Sequence, residues 1–160
     1  MTHYQLCRTK LFMDTLNLKN YQLQTLTKAI DFSMPFAKSR VKNRFLTILG
    51  PKLQMIEKSR LEILNELCDK DKDGKPVMNK EEFKLSDKNR KKWDDEYNKL
   101  MMEDCIIDVT SSLKADLGTI KDILNTSTVE VSTQQTVILE EVITSLEVTN
   151  PKKLPEAKKK

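Results

Sequence analysis

The longest apolar pattern in this sequence repeats at helical spacing from about Phe36 to Cys68 and is interrupted once, at Gly50-Pro51. Residues three and four apart lie on one face of an α-helix, so the pattern predicts one long helix with a continuous apolar stripe. A proline inside a helix removes an amide donor and clashes with the carbonyl group four residues earlier. We therefore expect a kink at Pro51, or two helices that meet there. The apolar stripe consists of Val41, Phe45, Ile48, Leu49, Leu53, Ile56, Ile63, Leu64 and Leu67.

Four shorter segments carry apolar residues at the same helical spacing. Ser111 or Ser112 is expected to cap one of these helices, because a serine oxygen can accept a hydrogen bond from the first free amides. Ser132 and Gln135 have the spacing of a capping box and predict the start of the last helix. The four helices are expected at about 21–33, 87–104, 111–125 and 132–149.

The sequence leaves room for only a small amount of β structure. Residues 69–76 combine aspartates with Gly and Pro, which is typical of a turn, and the segment 77–85 can form a short hairpin arm. Residues 105–109 are short, apolar and β-branched and therefore predict a strand. The partner that we expect for this strand is 129–131.

Together these elements predict a mainly α fold of the α+β type. It has four to five helices, including one long kinked helix, with a small β-hairpin or a short two-stranded element. Three glycines in 160 residues also favour helices over a turn-rich β fold. We expect a weakly ordered extension at 1–16, one helical domain at 17–149 and a disordered lysine-rich tail at 150–160.

The charges are segregated along the chain. The tail, residues 151–160, has five lysines and one glutamate, and it accounts for the whole formal net charge of +4. Residues 35–60 are mainly basic, whereas residues 113–149 are mainly acidic. This polarity suits packing within the molecule or head-to-tail self-association at least as well as it suits nucleic acid.

Four basic residues alternate at the start of the long helix and flank its apolar stripe. Their long side chains can cover the edges of a buried face. They can also contact phosphate groups together with the lysine tail, and such binding would be non-specific because no stacking motif accompanies it. The candidate partner or nucleic-acid contacts are Lys38, Arg40, Lys42, Arg44, Lys158, Lys159 and Lys160.

Asp69, Asp71 and Asp73 copy the first, third and fifth positions of a calcium-binding EF-hand loop. The twelfth position of that loop needs a bidentate carboxylate, but it is Lys80 here, and Pro76 occupies the eighth position. A solvated acidic turn explains the same residues. We therefore predict no metal site at this degenerate loop and no cofactor elsewhere in the chain.

Groups that commonly carry catalysis are scarce. The single histidine, His3, cannot supply a catalytic triad or a histidine metal cluster, and the isolated glycines cannot form a phosphate-binding loop. Trp93 and Tyr97 lie one helical turn apart and can form a partner surface, although such pairs more often belong to a core. We predict a chain that is not an enzyme.

Three cysteines without a CxxC pair indicate reduced thiols, and no segment approaches the length of a membrane span. We therefore expect no membrane contact.

Four short motifs stand out along the chain, namely Leu18 to Leu23, Ala37 to Arg44, Asp71 to Pro76 and Trp93 to Glu103. Together they resemble a small family of unknown function found in tailed bacteriophages and prophages of low-GC Gram-positive bacteria. The resemblance covers about residues 18–147, and the chain departs from the family at its extension, at Gly50-Pro51 and in its tail. It implies a phage gene product but supplies no activity, cofactor or functional residue.

These observations lead to two main functional hypotheses, and an enzyme whose carboxylates are brought together by the fold is the third. The first is a non-enzymatic phage structural or assembly accessory protein that contacts a phage protein, a host protein or a second copy of itself as a homo-oligomer. The second is a nucleic-acid or host-factor binding protein that uses residues 38–44 and the lysine tail. The expected location is the host cytoplasm during infection, or the virion.

Overall fold

The computed structural model describes residues 14–149. The predictions for residues 1–13 and 150–160 lie outside the described residues. Within the described range the chain is mainly helical with two small antiparallel sheets, which confirms the predicted fold class. The elements are β1 (Asp14–Lys19), α1 (Asn20–Ala29), α2 (Phe36–Leu67), β2 (Met78–Asn79), β3 (Glu82–Phe83), α3 (Asp87–Met102), β4 (Asp104–Val109), α4 (Ser111–Asn125) and α5 (Thr133–Thr149).

The long helix α2 runs through Pro51 as one element of 32 residues, so the alternative of two separate helices is wrong. The proline leaves the carbonyl of Thr47 without its usual amide donor. Both residues are exposed, so water can reach the carbonyl group. Phe45 and Leu49 before the proline and Ile56 after it are buried, and this packing on both sides holds the helix together.

The predicted strand at 105–109 is confirmed as β4, but its expected partner at 129–131 is wrong. β4 pairs instead with β1 in antiparallel register, with Leu16 opposite Ile107 and Leu18 opposite Cys105. These four side chains are buried on one face of the sheet, whereas residues 129–131 form a loop. Alternating buried positions on both strands explain the pairing, because each strand can then bury one complete face.

The position of β1 also corrects the domain boundary. Residues 14–16 were expected to belong to a weakly ordered extension, yet Asp14 begins a strand and the Leu16 side chain is 0% exposed. The described fold therefore includes residues 14–16, and the predicted boundary at 17 is wrong.

Helix ends follow the capping chemistry of the sequence with one correction. The Ser132 hydroxyl accepts from the Gln135 amide, and the Gln135 side chain accepts from the Ser132 amide, which confirms the capping box. The cap of α4 is Thr110, whose hydroxyl accepts from the Leu113 amide at 3.2 Å, and not Ser111 or Ser112. Thr110 can act as the N-cap because its backbone is extended at the point where β4 ends.

The helix α1 ends at Ala29, four residues earlier than predicted. Ile30 caps it, and the chain then turns toward Pro35 and the start of α2. The hairpin predicted in the segment 77–85 is confirmed by the pairing of β2 with β3.

The main core lies between the β1–β4 sheet and helices α1, α2, α4 and α5. Its largest fully buried side chains are Phe45, Leu16, Leu18, Leu23, Leu26, Ile30, Leu49, Ile107, Leu117, Ile120, Ile123 and Leu146.

Candidate protein-interaction surfaces

Two of the four basic residues at the start of α2 are engaged within the molecule. The Arg44 guanidinium donates to both carboxylate oxygens of Asp116 on α4, at 2.9 and 2.8 Å. These hydrogen bonds raise the pKa of Arg44 and lower the pKa of Asp116. Lys42 Nζ donates to the Phe32 carbonyl at 3.1 Å. The basic start of α2 thus binds an acidic residue of the same chain.

The other two basic residues lie at the outer end of the helix. The Arg40 guanidinium carbon is 5.8 Å from the centre of the Phe36 ring, which is a cation–π distance. Lys38 is half-buried and makes no ion pair with a described residue. The structure therefore does not gather the four cations into one free patch. The candidate lysines Lys158, Lys159 and Lys160 lie outside the described residues.

The acidic turn is stabilised by one of its own carboxylates. Asp71 Oδ1 accepts hydrogen bonds from the backbone amides of Asp73 and Lys75, at 2.9 Å each. Gly74 adopts φ +76°, which is a conformation that favours glycine. Among residues 14–149, no three side chains of His, Cys, Asp or Glu form a group that could hold a metal ion. Asp71 thus stabilises the turn, and it does not form a metal site together with Asp69 and Asp73.

The segment 57–99 forms an arm that extends from the main core. We use "the arm" for these residues, which comprise the second part of α2, the β2–β3 hairpin and most of α3. No arm residue belongs to the main core, and only Ile63 and Tyr97 pack against it while half-buried. The arm has a small interior of its own, in which Leu64 and Cys68 are buried.

The tip of the arm is an ordered structure rather than a loose loop. The Asp69 amide donates to the Lys84 carbonyl at 2.8 Å, and the Val77 amide donates to the Asp69 carbonyl at 2.7 Å. The Asn89 side chain donates to the Leu67 carbonyl at 2.9 Å and joins α3 to the end of α2. These bonds hold the hairpin at a fixed position on the two helices.

The aromatic pair lies on the arm. The rings of Trp93 and Tyr97 are stacked, with centroids 5.2 Å apart and planes at 27°. Both side chains are half-buried and neither belongs to the main core, so the expectation of a core position is wrong, although Tyr97 packs against the core. Trp93 lies farther out along the arm and exposes part of its ring.

The charged side chains at the tip of the arm form no ion pairs with other described residues. Each ion pair of the arm joins two residues of one helix, namely Glu57–Arg60, Lys58–Glu62 and Glu96–Lys99. Within the described part of the chain, no ion pair involves a residue between 63 and 95. Residues 69–92 nevertheless carry many lysines and aspartates, and most of them are exposed. The tip therefore presents a dense set of free charges of both signs.

A second surface lies between α2 and the start of β4. A groove of about 190 Å³ separates Lys52, Met55 and Ser59 on α2 from Cys105 and Ile106 on β4. The side chains of Met55 and Ile106 are 66% and 53% exposed. Large apolar side chains with this exposure beside a concave surface are typical of contact sites.

Cys105 lies in the floor of this groove and is buried. Burial raises the pKa of its thiol above the ordinary value, while the nearby Lys52 ammonium acts in the opposite direction with a smaller effect. The thiol is therefore protonated at neutral pH and is a poor nucleophile.

Both surfaces escaped the interpretation of the sequence. The sequence predicted the two helices and the hairpin of the arm, but not that the arm extends from the core, because this depends on tertiary packing. The edge of β4 had a weak signal, since Asp104 and Asp108 lie on the same face as Ile106 and flank it.

Comparison with known proteins gave no match to a family model, a curated protein or a solved structure. No helix among residues 14–149 is long and apolar enough to cross a membrane.

Proposed function

We propose that this chain is a non-enzymatic structural or assembly accessory protein of a bacteriophage, and that it acts through contacts with other proteins. The sequence resemblance described above supports the phage origin. The observation that supports protein contacts is the arm. In this proposal the protein acts in the host cytoplasm during infection or as part of the virion.

The arm supports this function because it is ordered and yet contributes little to the main core. A segment that packs only two half-buried side chains against the core adds little to the stability of the fold. Its helices and its hydrogen-bonded hairpin hold exposed groups at a distance from the domain. An arm of this kind can reach a neighbouring subunit in an assembly.

Binding of nucleic acid or a host factor through residues 38–44 is the alternative. Arg44 and Lys42 already have partners within the molecule, and the Asp116 carboxylate beside Arg44 reduces the attraction of this site for a phosphate group. The alternative therefore has less support, although the experiment below also detects it.

The test is site-specific photocrosslinking in host cells that produce the phage. A photoreactive amino acid replaces Glu81 at the exposed tip of the arm. The matched control carries the same group at Glu130, which is also exposed but lies in the loop between α4 and α5. We expect Glu81 to give a crosslink to one defined phage or host protein, or to a second copy of this chain, and Glu130 to give none.

Two results would refute the proposal. One is the absence of a protein crosslink from the arm at any stage of infection. The other is nucleic acid in the crosslinked product, with loss of that product after Lys38, Arg40, Lys42 and Arg44 are replaced by glutamate. The second result would favour the alternative function.

A further inference from the structure

The antiparallel ladder of β1 and β4 shows which backbone groups of β4 are already used. Such a ladder alternates between residue pairs that exchange hydrogen bonds and pairs that do not. The Asn20 amide donates to the Glu103 carbonyl at 3.0 Å, directly beyond the end of the paired strands. Bonded positions therefore recur at every second residue from Glu103 onward, and those of β4 include Cys105 and Ile107.

The positions between them face the other edge of the strand. The N–H and C=O groups of Asp104, Ile106 and Asp108 therefore point away from β1. Lys19 on β1 supports this assignment, because its amide donates to the Gln22 side chain at 2.8 Å and not to its cross-strand neighbour Asp104. No other strand among residues 14–149 pairs with this edge.

The groove beside α2 meets the first part of this edge. It is lined by Asp104, Cys105 and Ile106 of β4 and by one face of α2, together with Asn20, Leu100 and Glu103. A strand added to the free edge of β4 would therefore place side chains next to Met55 and Ile106. Burial of these two exposed side chains would add apolar contact to the backbone hydrogen bonds.

The charges at the edge select the partner. Ile106 on the outer face of the sheet is flanked by Asp104 and Asp108, two residues away on each side. Lys19 Nζ lies 2.6 Å from Asp104 Oδ1, whereas Asp108 makes no ion pair with a described residue. Opposite charges on neighbouring strands are stabilising, and like charges directly opposite each other are destabilising.

We propose that the free edge of β4 binds an extended segment of a partner protein in which basic residues alternate with apolar ones. The basic side chains lie opposite Asp104 and Asp108, and the segment adds a third strand to the β1–β4 sheet. A second copy of β4 is a poor occupant, because antiparallel pairing centred on Ile106 would place Asp104 opposite Asp108 of the other chain. Ser59 is the one arm residue among those that line the groove, and the binding edge itself belongs to β4, so the inference does not depend on the proposed function.

The test uses the full chain and two capped peptides as long as β4, one of alternating lysine and valine and one of alternating glutamate and valine. Amide hydrogen exchange is measured by NMR at low salt. In the free protein we expect fast exchange at Ile106 and Asp108 and slow exchange at Cys105 and Ile107. The lysine peptide should slow exchange at Ile106 and Asp108 about tenfold or more, and the glutamate peptide should not.

Two proline variants provide a matched pair. Ile106→Pro removes one amide from the free edge of β4 without removing a bond of the ladder, so the fold should persist. We expect it to weaken binding of the lysine peptide about tenfold or more. Asn17→Pro changes the outward-facing position of β1 opposite Ile106 and leaves the free edge of β4 intact. This variant should bind the lysine peptide as tightly as the unaltered chain does. Circular dichroism establishes that both variants are folded.

A charge reversal tests the choice of partner without changing the backbone. Asp108→Lys should weaken binding of the lysine peptide and improve binding of the glutamate peptide, by about two- to fivefold each. Equal binding of both peptides to the unaltered chain, or no slowing of exchange at Ile106 and Asp108, would overturn the proposal.

Two further results would identify a different occupant and also overturn it. A dimer that dissociates in Ile106→Pro would mean that a second copy covers the edge, and light scattering measures this directly. Binding of the lysine peptide only after removal of residues 150–160 would identify the lysine-rich tail as the occupant.

Discussion

Replacement of Leu16 by alanine tests whether β1 is an integral part of the fold. Leu16 is 0% exposed and lies opposite Ile107 in the inner face of the sheet. The substitution removes three carbon atoms, and their transfer to water alone costs about 2.4 kcal/mol at about 0.8 kcal/mol per methylene group. Because the sheet and the helices around Leu16 can close the cavity only in part, the total should reach about 3–4 kcal/mol.

The matched control is Asn17→Ala, one position along the same strand. Asn17 is exposed on the outer face, opposite Ile106, so its replacement should change the free energy of unfolding by less than about 0.5 kcal/mol. The free energy is measured by urea unfolding followed by circular dichroism at fixed pH. An unchanged dependence on urea concentration shows that the mutation acts on stability and not on the extent of unfolding.

A cost below about 1 kcal/mol for Leu16→Ala, similar to that of Asn17→Ala, would refute the reasoning. It would mean that residues 14–16 behave in solution as the extension expected from the sequence. The melting temperature gives an independent check, because a loss of 3–4 kcal/mol should lower it by roughly 10 °C in a chain of this size.

Three further substitutions have expected outcomes. Pro51→Ala restores the missing amide donor at an exposed position of α2 and should stabilise the protein by about 1–3 kcal/mol in urea unfolding, whereas destabilisation would show that the proline shapes the helix for packing. Ser132→Ala removes half of the capping box of α5 and should cost about 0.5–2 kcal/mol by the same measurement, and no cost would mean that the box does not form in solution. Arg44→Gln should reduce stability at neutral pH. The lowered pKa of Asp116 provides stability above the unfolded carboxyl pKa of about 3.9, and this is lost as the pH falls through the folded pKa. The difference between Arg44→Gln and the unaltered chain should therefore shrink in acid, and a difference independent of pH would contradict the assignment.

The helices could be predicted because their information is local. A capping box needs only Ser132 and Gln135, and the apolar spacing of α4 needs only the residues of that helix. Pro51 was harder to judge, because its effect depends on burial before and after it. The chain tolerates the proline on a solvent-exposed face where the neighbouring turns are held by Phe45, Leu49 and Ile56.

The sheet could not be predicted because its information is distant in the sequence. Leu16 and Leu18 form only a short alternating pattern. Their partners lie in β4, which is separated from β1 by three helices along the chain. Residues 129–131 lie much closer to β4 and carry two valines, so local reasoning preferred them. Loop length and propensity alone do not decide strand pairing when one candidate completes a buried face and the other does not.

The same distinction explains why the basic residues misled the search for a site. A cation is free or engaged according to its neighbours in space, and Asp116 is 72 residues from Arg44. The segregation of charge along the chain, basic at 35–60 and acidic at 113–149, is used in part within the molecule where α2 packs against α4. Free charge remains instead at the tip of the arm, which packs little against the core, and at Asp108 on the outer face of β4. Since charges without internal partners lose little solvation until a partner arrives, these two surfaces are where binding can be gained without first breaking the fold.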